Sequence, residues 1–523
     1  MLRRLIPSIF ALFLLSVPQA AAQRAAPPPR FDAYVEQVMR TFAVPGAAVA
    51  IVKDGQVLLA KGYGVRTLGG TDRVDARTQF GIASNTKIVT STALALLVEE
   101  GKVEWDAPVI RYLPWFAMYD PYVTRELTVR DLLVHRSGLG LGAGDLLWWP
   151  PSTYDRKEIA RRLRYIRPAT SFRSAYAYDN VLYLIAAEVI ETASGLSWED
   201  FVRTRILARV GMSSSDARHP GATEVRSRNI AVTHAEVNDT VRVIAPFASD
   251  NTNPAGGIMS GAEDMARWVI VQLDSGRLGN GSRLYSPASA RQLWRDVTPT
   301  GLGGAPPGFT HLRANFSGYA LGLGVRDYRG VKLLQHTGGL PGYVSKVAMI
   351  PEHRLGVVVL TNQESGFAFE SIIYHVLDHY LGATPAPDYL GHYTRLRDQF
   401  AAELRTTQQA VQAKRDTASR PSLPLAGYAG TYRDDWYGDV VLAMENGKLA
   451  IRFTRTPLLV GDLDHWQHDS FLVRWRDREL RADAYITFAL NPDGTIDVAK
   501  MAPASPAVDF SFDFQDLLLR PVR

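Results

Sequence analysis

Hydrophobic and polar positions give the chain three textures. Near the front, Gly46 to Lys53 is an apolar, β-prone run, and Gln56 to Ala60 follows it across Asp54-Gly55. Asp-Gly between two such runs predicts a β-hairpin, because a two-residue turn needs positive φ and these residues tolerate it. The pattern then becomes helical. A helix is predicted from near Ser84 through Ile88, Val89, Leu94, Leu97 and Val98, stopping at Gly101, which suits a left-handed C-terminal cap. Further helical stretches are predicted around 128–135, 180–193, 198–208 and 261–273. Strand signals return at Val331–Gln335, Ser345–Ile350 and Leu355–Thr361, the last two joined by a turn at 351–354. Strands at both ends of a helical middle predict an α+β domain, an antiparallel sheet flanked by helices.

Residues 392–415 are helix-prone and polar, and Arg420-Pro421-Ser422-Leu423-Pro424 reads as a linker. Beyond it, short alternating runs at 438–444, 448–453, 471–475, 484–490, 496–501 and 508–514 predict a small all-β barrel or sandwich. Asn446-Gly447 and Asp493-Gly494 fall between pairs of them. Trp436, Trp466 and Trp475 are expected in its core. The expected layout is a signal peptide over 1–22, a main domain over 23–390, a helical linker over 391–424 and a β-barrel domain over 425–523.

Composition narrows this. With 523 residues, 46% of them hydrophobic and 21% charged, the chain is too long for one core. Its net charge is only +5, and no basic stretch is interleaved with aromatics, so nucleic acid is not an expected partner. Arg3 and Arg4, the apolar run Leu5–Val17 and Ala20-Ala21-Ala22 form a secretory signal pattern, predicting export to the periplasm or medium. Once that segment is cut, no stable membrane span is expected. The Pro-rich Ala25–Pro29 reads as an extended spacer outside any core. The absence of cysteine removes disulfides, thiol nucleophiles and thiolate metal sites. Eleven scattered histidines without His-Glu-x-x-His argue against a zinc hydrolase, so no metal or cofactor is expected. Gly-x-Ser-x-Gly is absent, and the glycines of 138–144 lack the phosphate-loop pattern.

Three short motifs carry candidate chemistry. Ser84-Asn85-Thr86-Lys87 heads the long apolar helix, and residues three apart share a helix face. Ser84 needs a base to become a nucleophile. A lysine, with an ordinary pKa of about 10.4, serves only if burial or a second cation lowers it. Tyr178-Asp179-Asn180 places a phenol and an amide where both can face one cleft. His336-Thr337-Gly338-Gly339 is expected at a strand end, where the glycines let a substrate backbone lie close and a backbone N–H can stabilise an oxyanion. Each has a bland alternative: a helix cap with a solvated lysine, an aromatic beside a cap, a strand-end histidine. Trp148-Trp149-Pro150-Pro151 reads equally as a wall of the site or as packing. His135 and His234 read as structural, with His234 a candidate for the cleft lining.

In this order and spacing, the three motifs resemble the serine β-lactamase and penicillin-binding-protein family. The likeness is strongest to its branch of class C β-lactamases, D-alanyl-D-alanine carboxypeptidases and D-aminopeptidases. Leu127–Leu139, Pro254–Ser260 and Asp264–Trp268 are similar to other family stretches. Phe172-Arg173-Ser174 is similar to a subgroup with a lipocalin-like C-terminal domain, which 425–523 resembles. The resemblance implies Ser84 as nucleophile, Lys87 as its basic partner, Tyr178 as proton shuttle, Asn180 as positioner and His336 where many β-lactamases carry lysine. It places the substrate strand at Gly338 and Gly339, and the oxyanion hole at the N–H groups of Ser84 and Gly339. Lys87 and Tyr178 both remain open as the general base. Asp179 stands where serine is common, and Ala208–Met212 fits its family counterpart only loosely. His336 weakens the β-lactamase reading, since a permanent cation there suits a penicillin carboxylate.

The expected activity is that of a peptidase or amidase on short or nonribosomal-type peptides. Carboxylesterase, β-lactamase and linearised-microcystin peptidase are the enzymatic alternatives, and a catalytically silent binding or sensor protein the non-enzymatic one. The expected partner is a small peptide, amide or ester, with self-association left open.

Overall fold

The computed structural model describes residues 26–305 and 308–522, so the segment read as a signal peptide lies outside the described residues. The first domain is built on an eight-stranded antiparallel sheet. Its strands are β1 (Gly46–Lys53), β2 (Gln56–Gly64), β3 (Thr298–Pro299), β4 (Ser317–Tyr319), β5 (Gly324–Tyr328), β6 (Val331–Leu340), β7 (Tyr343–Ile350) and β8 (Leu355–Thr361). The spatial order is β2-β1-β8-β7-β6-β5-β4-β3, so the first and last parts of the domain meet at the β1–β8 pair. The predicted hairpin is there, with Asp54 and Gly55 both at positive φ.

The sheet is buried on both faces, which is why β1 reads as a continuous apolar run. Ala47, Val49 and Ile51 pack with α1 (Phe31–Thr41) and α5 (Gly366–Leu381). Ala48, Ala50 and Val52 face a helical layer that includes α2 (Lys87–Glu99), α3 (Val181–Ser194) and α4 (Ala262–Leu273). Helix α2 is buried on every side from Lys87 to Leu97, so the sequence around Ser84 is held deep in the domain. Gly101, at φ 71°, follows it in the left-handed cap conformation.

Helix α6 (Tyr389–Ala413) starts with a buried turn through Tyr389, Leu390 and Tyr393, then runs exposed toward the second domain. That domain is an eight-stranded antiparallel barrel, with strands β9 (Gly430–Asp434), β10 (Gly438–Glu445), β11 (Lys448–Phe453), β12 (Val460–Gln467), β13 (Ser470–Trp475), β14 (Ala484–Leu490), β15 (Ile496–Pro503) and β16 (Arg520–Pro521). The end strands nearly close it, through reciprocal backbone bonds of 2.8 and 3.0 Å between Ala499 and Leu519. Trp436 and Trp475 are core residues, whereas Trp466 lies half-buried under the Arg415 guanidinium. Among the described residues no single helix is long and apolar enough to cross a membrane.

Several expectations are corrected. Residues 508–514 alternate like a strand but form a loop, because their side chains are anchored one by one in the first domain and in the barrel end. Strands β9 and β12 were not foreseen. Of 128–135 only a short turn of helix at 131–133 forms. The Pro-rich spacer is not free of the core: Pro28 is buried, and the Tyr380 hydroxyl donates to the Ala26 carbonyl at 2.9 Å. His336 lies within β6 rather than at its end.

Candidate active site

Ser84 sits in a tight helical turn, Ala83–Thr86, that leads into α2. Ala83 holds φ 49°, a left-handed conformation that costs a non-glycine residue about 1 kcal/mol or more. The turn is held from several directions. The Ile82 carbonyl accepts from Ser345 Oγ at 2.7 Å, Asn85 Nδ2 donates to Ser345 Oγ at 2.8 Å, and the Ile82 N–H donates to Ile258 O at 3.0 Å. Strand β6 presses against it through Gly338, where a Cβ would come within 2.3 Å of Ile82 O. Gly338 therefore serves close packing and does not line the cleft, contrary to its expected role against substrate. Gly339, the next residue, turns to open space.

Lys87 is fully buried, with Nζ 3.0 Å from Ser84 Oγ. The same nitrogen donates to Asn180 Oδ1 at 2.7 Å and to Ala255 O at 3.0 Å, and it lies 4.8 Å from the centre of the Tyr178 ring. Burial pushes its pKa down to about 7, against Asp145 and Asp179, which favour the charged form. The Tyr178 hydroxyl is in hydrogen-bonding contact with Ser84. Burial raises that phenol well above its ordinary value, although the Ser84 bond pulls the other way. Two of the predicted residues, Lys87 and Tyr178, thus meet at the Ser84 hydroxyl, and Asn180 holds the lysine from behind.

His336 stands further off, its ring 6.1 Å from that of Tyr178. Its Nδ1 is 2.5 Å from Thr337 O and its Nε2 is 2.8 Å from the Tyr319 hydroxyl. A carbonyl can only accept, so Nδ1 carries the hydrogen and Nε2 accepts from Tyr319. Burial, and then the Lys87 charge, hold the imidazole down at about 3, so His336 is a neutral group rather than a substitute for a lysine cation.

Behind Asn180 lies a residue that the motifs do not contain. Asn180 Nδ2 donates to Asp145 Oδ2 at 2.8 Å, and Ser511 Oγ from the barrel donates to the same oxygen at 2.9 Å. Trp148 Nε1 takes the other oxygen at 2.9 Å. The barrel loop also grips the neighbouring backbone, since Asp513 Oδ2 accepts from the Gly144 N–H at 2.7 Å. Burial raises Asp145 to about 7 and Asp179 to about 8. Asp179, whose placement the sequence left between Lys87 and solvent, is buried near the lysine, and its N–H donates to His135 Nδ1 at 3.1 Å. His234 is structural: its ring accepts from the Leu68 N–H at 2.9 Å and contacts Asn362 O.

A cavity of 480 Å³ opens over these groups, lined among others by Ser84, Tyr178, Asn180, His336 and Gly339. Trp148 and Trp149 form part of its wall, and Phe510 stands edge-on to Tyr178 at 6.1 Å. Among the described residues no cluster of histidine, aspartate and glutamate is arranged to hold a metal.

The sequence pattern of the Beta-lactamase family matches residues 31–381, well over half of the chain. The chain belongs to this family. A domain of unknown function, DUF3471, matches residues 414–521. Among curated proteins, the unguisins hydrolase of Aspergillus campestris is 29% identical, covering 89% of this chain and 87% of that one. Penicillin-binding protein 4 of Amycolatopsis lactamdurans is 28% identical over 69% of this chain and 90% of its own. The octameric penicillin-binding protein homologue of Pyrococcus abyssi shares the fold, with a TM-score of 0.59 at 21% identity, over 94% of this chain and 98% of that one. Members of the beta-lactamase family are hydrolases, and the motifs quoted from the sequence fall within the matched region. Asp145 also lies in that region, but Ser511 belongs to the second domain.

Proposed function

We propose that this chain is an exported serine hydrolase that forms an acyl-enzyme on Ser84 and cleaves amide bonds in short or nonribosomal-type peptides. One observation carries the reading: Lys87 Nζ lies 3.0 Å from Ser84 Oγ while two carbonyl oxygens occupy its other directions. A neutral amine has two hydrogens and one lone pair. With the hydrogens on Asn180 Oδ1 and Ala255 O, the lone pair faces the serine hydroxyl, as a general base requires. Tyr178 is the poorer base, because its phenolate is disfavoured by burial.

In the acylation step Ser84 Oγ attacks the substrate carbonyl carbon and its proton passes to Lys87. The C–N bond then breaks, and the departing amine takes a proton relayed from Lys87 through Tyr178. Water, activated in the reverse sense, cleaves the Ser84 ester and restores the hydroxyl. Backbone N–H groups of Ser84 and Gly339 are assigned to the developing oxyanion. The neutral His336 offers no fixed positive charge for a β-lactam carboxylate, which supports peptides over penicillins. The relatives named unguisins hydrolase support a hydrolytic activity.

The test is a panel on purified protein: D- and L-aminoacyl anilides, blocked peptides, p-nitrophenyl esters and a chromogenic cephalosporin, with Ser84→Ala as control. Turnover of anilides or peptides that Ser84→Ala abolishes supports the proposal; cephalosporin turnover with inert peptides overturns the peptide reading. A pH profile gives a second check. Lys87 must be neutral, so kcat/KM rises with pH through a limb near 7. A limb near 10 would mean that the lysine is not desolvated as described.

A further inference from the structure

Beside the catalytic cavity lies a second chamber of 330 Å³, at the junction of the two domains. The two spaces are joined, since both are lined by Trp149, Gly339, Leu340 and Asp509. Apolar side chains line the chamber from both sides: Phe247 and Pro151 from the first domain, Leu458 and Phe512 from the barrel. Phe247 lies 5.0 Å from Trp149, and Phe512 stands edge-on to it at 6.5 Å. Leu458 keeps 41% of its surface accessible, an apolar side chain left unpacked at this wall.

The charges around the chamber are unequal. Glu364 is held by Arg481 at 2.7 Å, and Glu479 accepts from the Ala245 N–H at 2.9 Å. Asp477 and Asp509 add two further carboxyl groups, while Arg481 is the one cation among the described lining residues. Such a lining accepts apolar matter and repels a carboxylate.

The direction of entry follows from the sheet. Strand β6 pairs with β5 only up to Gln335, whereas its pairing with β7 continues to Leu340. The edge from His336 to Leu340 is therefore open on the cavity side, with Gly338 level with the nucleophile turn. An extended substrate added antiparallel, as every other neighbour in this sheet is, runs its residues preceding the scissile carbonyl toward Leu340. Beyond Leu340 lies the chamber.

We propose that the junction chamber is the acyl-side binding pocket of this enzyme, taking an apolar, non-anionic side chain or acyl tail that precedes the bond attacked by Ser84. The proposal rests on the serine-hydrolase reading and adds the chemistry of the substrate's acyl half.

The experiment compares p-nitrophenyl acetate, p-nitrophenyl octanoate and the octanoate analogue bearing a terminal carboxylate, on wild type, Leu458→Asp and Phe247→Ala. Leu458 is partly exposed, so its variant does not depend on repacking a core. For wild type, kcat/KM is expected to be at least ten-fold higher on octanoate than on acetate, and to fall back when the tail ends in carboxylate. Both variants are expected to lose most of the octanoate gain while keeping acetate hydrolysis within about two-fold. An octanoate-to-acetate ratio unchanged in both variants overturns the chamber assignment, and so does an equal loss on both esters. A wild-type protein that turns over no ester and takes no fluorophosphonate on Ser84 fails earlier, at the hydrolase reading itself.

Discussion

Lys87→Ala is expected to lower the rate of Ser84 acylation by about three to six powers of ten. Among the described residues the serine has no other base in contact whose proton affinity suits neutral pH: Tyr178 is raised well above its ordinary range, and His336 touches Tyr319 and Thr337 instead. The substitution also strips the Asn180 and Ala255 oxygens of their donor, so some stability goes with it. Acylation is therefore best read as a pre-steady-state burst with an activated ester, on protein shown to be folded by circular dichroism. Added primary amine is expected to restore part of the rate by entering the space left. A burst within ten-fold of wild type would remove Lys87 from the mechanism and leave Tyr178 as the base.

The second large effect is expected at Asp145. Its Oδ2 accepts from Asn180 and Ser511, and its Oδ1 from Trp148. Asparagine can place only one acceptor oxygen there. Whichever way its amide turns, its NH2 meets at least one of these donors. With the NH2 turned to Asn180, that residue loses its anchor and Lys87 the acceptor that orients it; turned the other way, Trp148 loses its acceptor and the loop carrying residue 145 shifts. A displacement of this kind costs about 10²-fold in kcat/KM. The pH profile separates positioning from simple damage. Lys87 is faced by Asp145, Asp179, Tyr178, Tyr183, His135 and His336. Asp145 raises the lysine pKa, so removing its charge moves the acidic limb of the profile to lower pH. Ser511→Ala, which keeps the carboxylate, is expected to give a smaller loss. A wild-type rate and an unmoved limb in Asp145→Asn would exclude this residue from the assembly.

What could be read from the sequence, and what could not, follows from range. The hairpin at Asp54-Gly55 and the buried helix after Ser84 are local, and hydrophobic pattern plus turn chemistry reveal them. The pairing of Ser84 with Lys87 is also local, one helical turn. Tyr178, Asn180 and His336 were legible only through motif order, because no local pattern says which distant segments meet. Asp145 opens a single helical turn just after the glycine-rich stretch 138–144 and has no signature of its own. Ser511 was hidden by its context, since Val-Asp-Phe-Ser-Phe-Asp-Phe has strand periodicity while Phe510, Ser511, Phe512 and Asp513 each find a separate partner across the domain boundary and Phe514 packs in the barrel. Gly338 was read as substrate-facing because a glycine in a strand signals close approach, and the approach is to Ile82 instead.

The bond from Ser511 to Asp145 spans 366 positions of sequence. A ribosome releases Ser84, Lys87 and Asn180 long before it reaches the barrel, and long-range contacts of this kind form late. On the proposed mechanism, nascent chains therefore carry a serine and a lysine whose supporting carboxylate is not yet locked, and full hydrolytic competence is expected only when the second domain has been made and has docked.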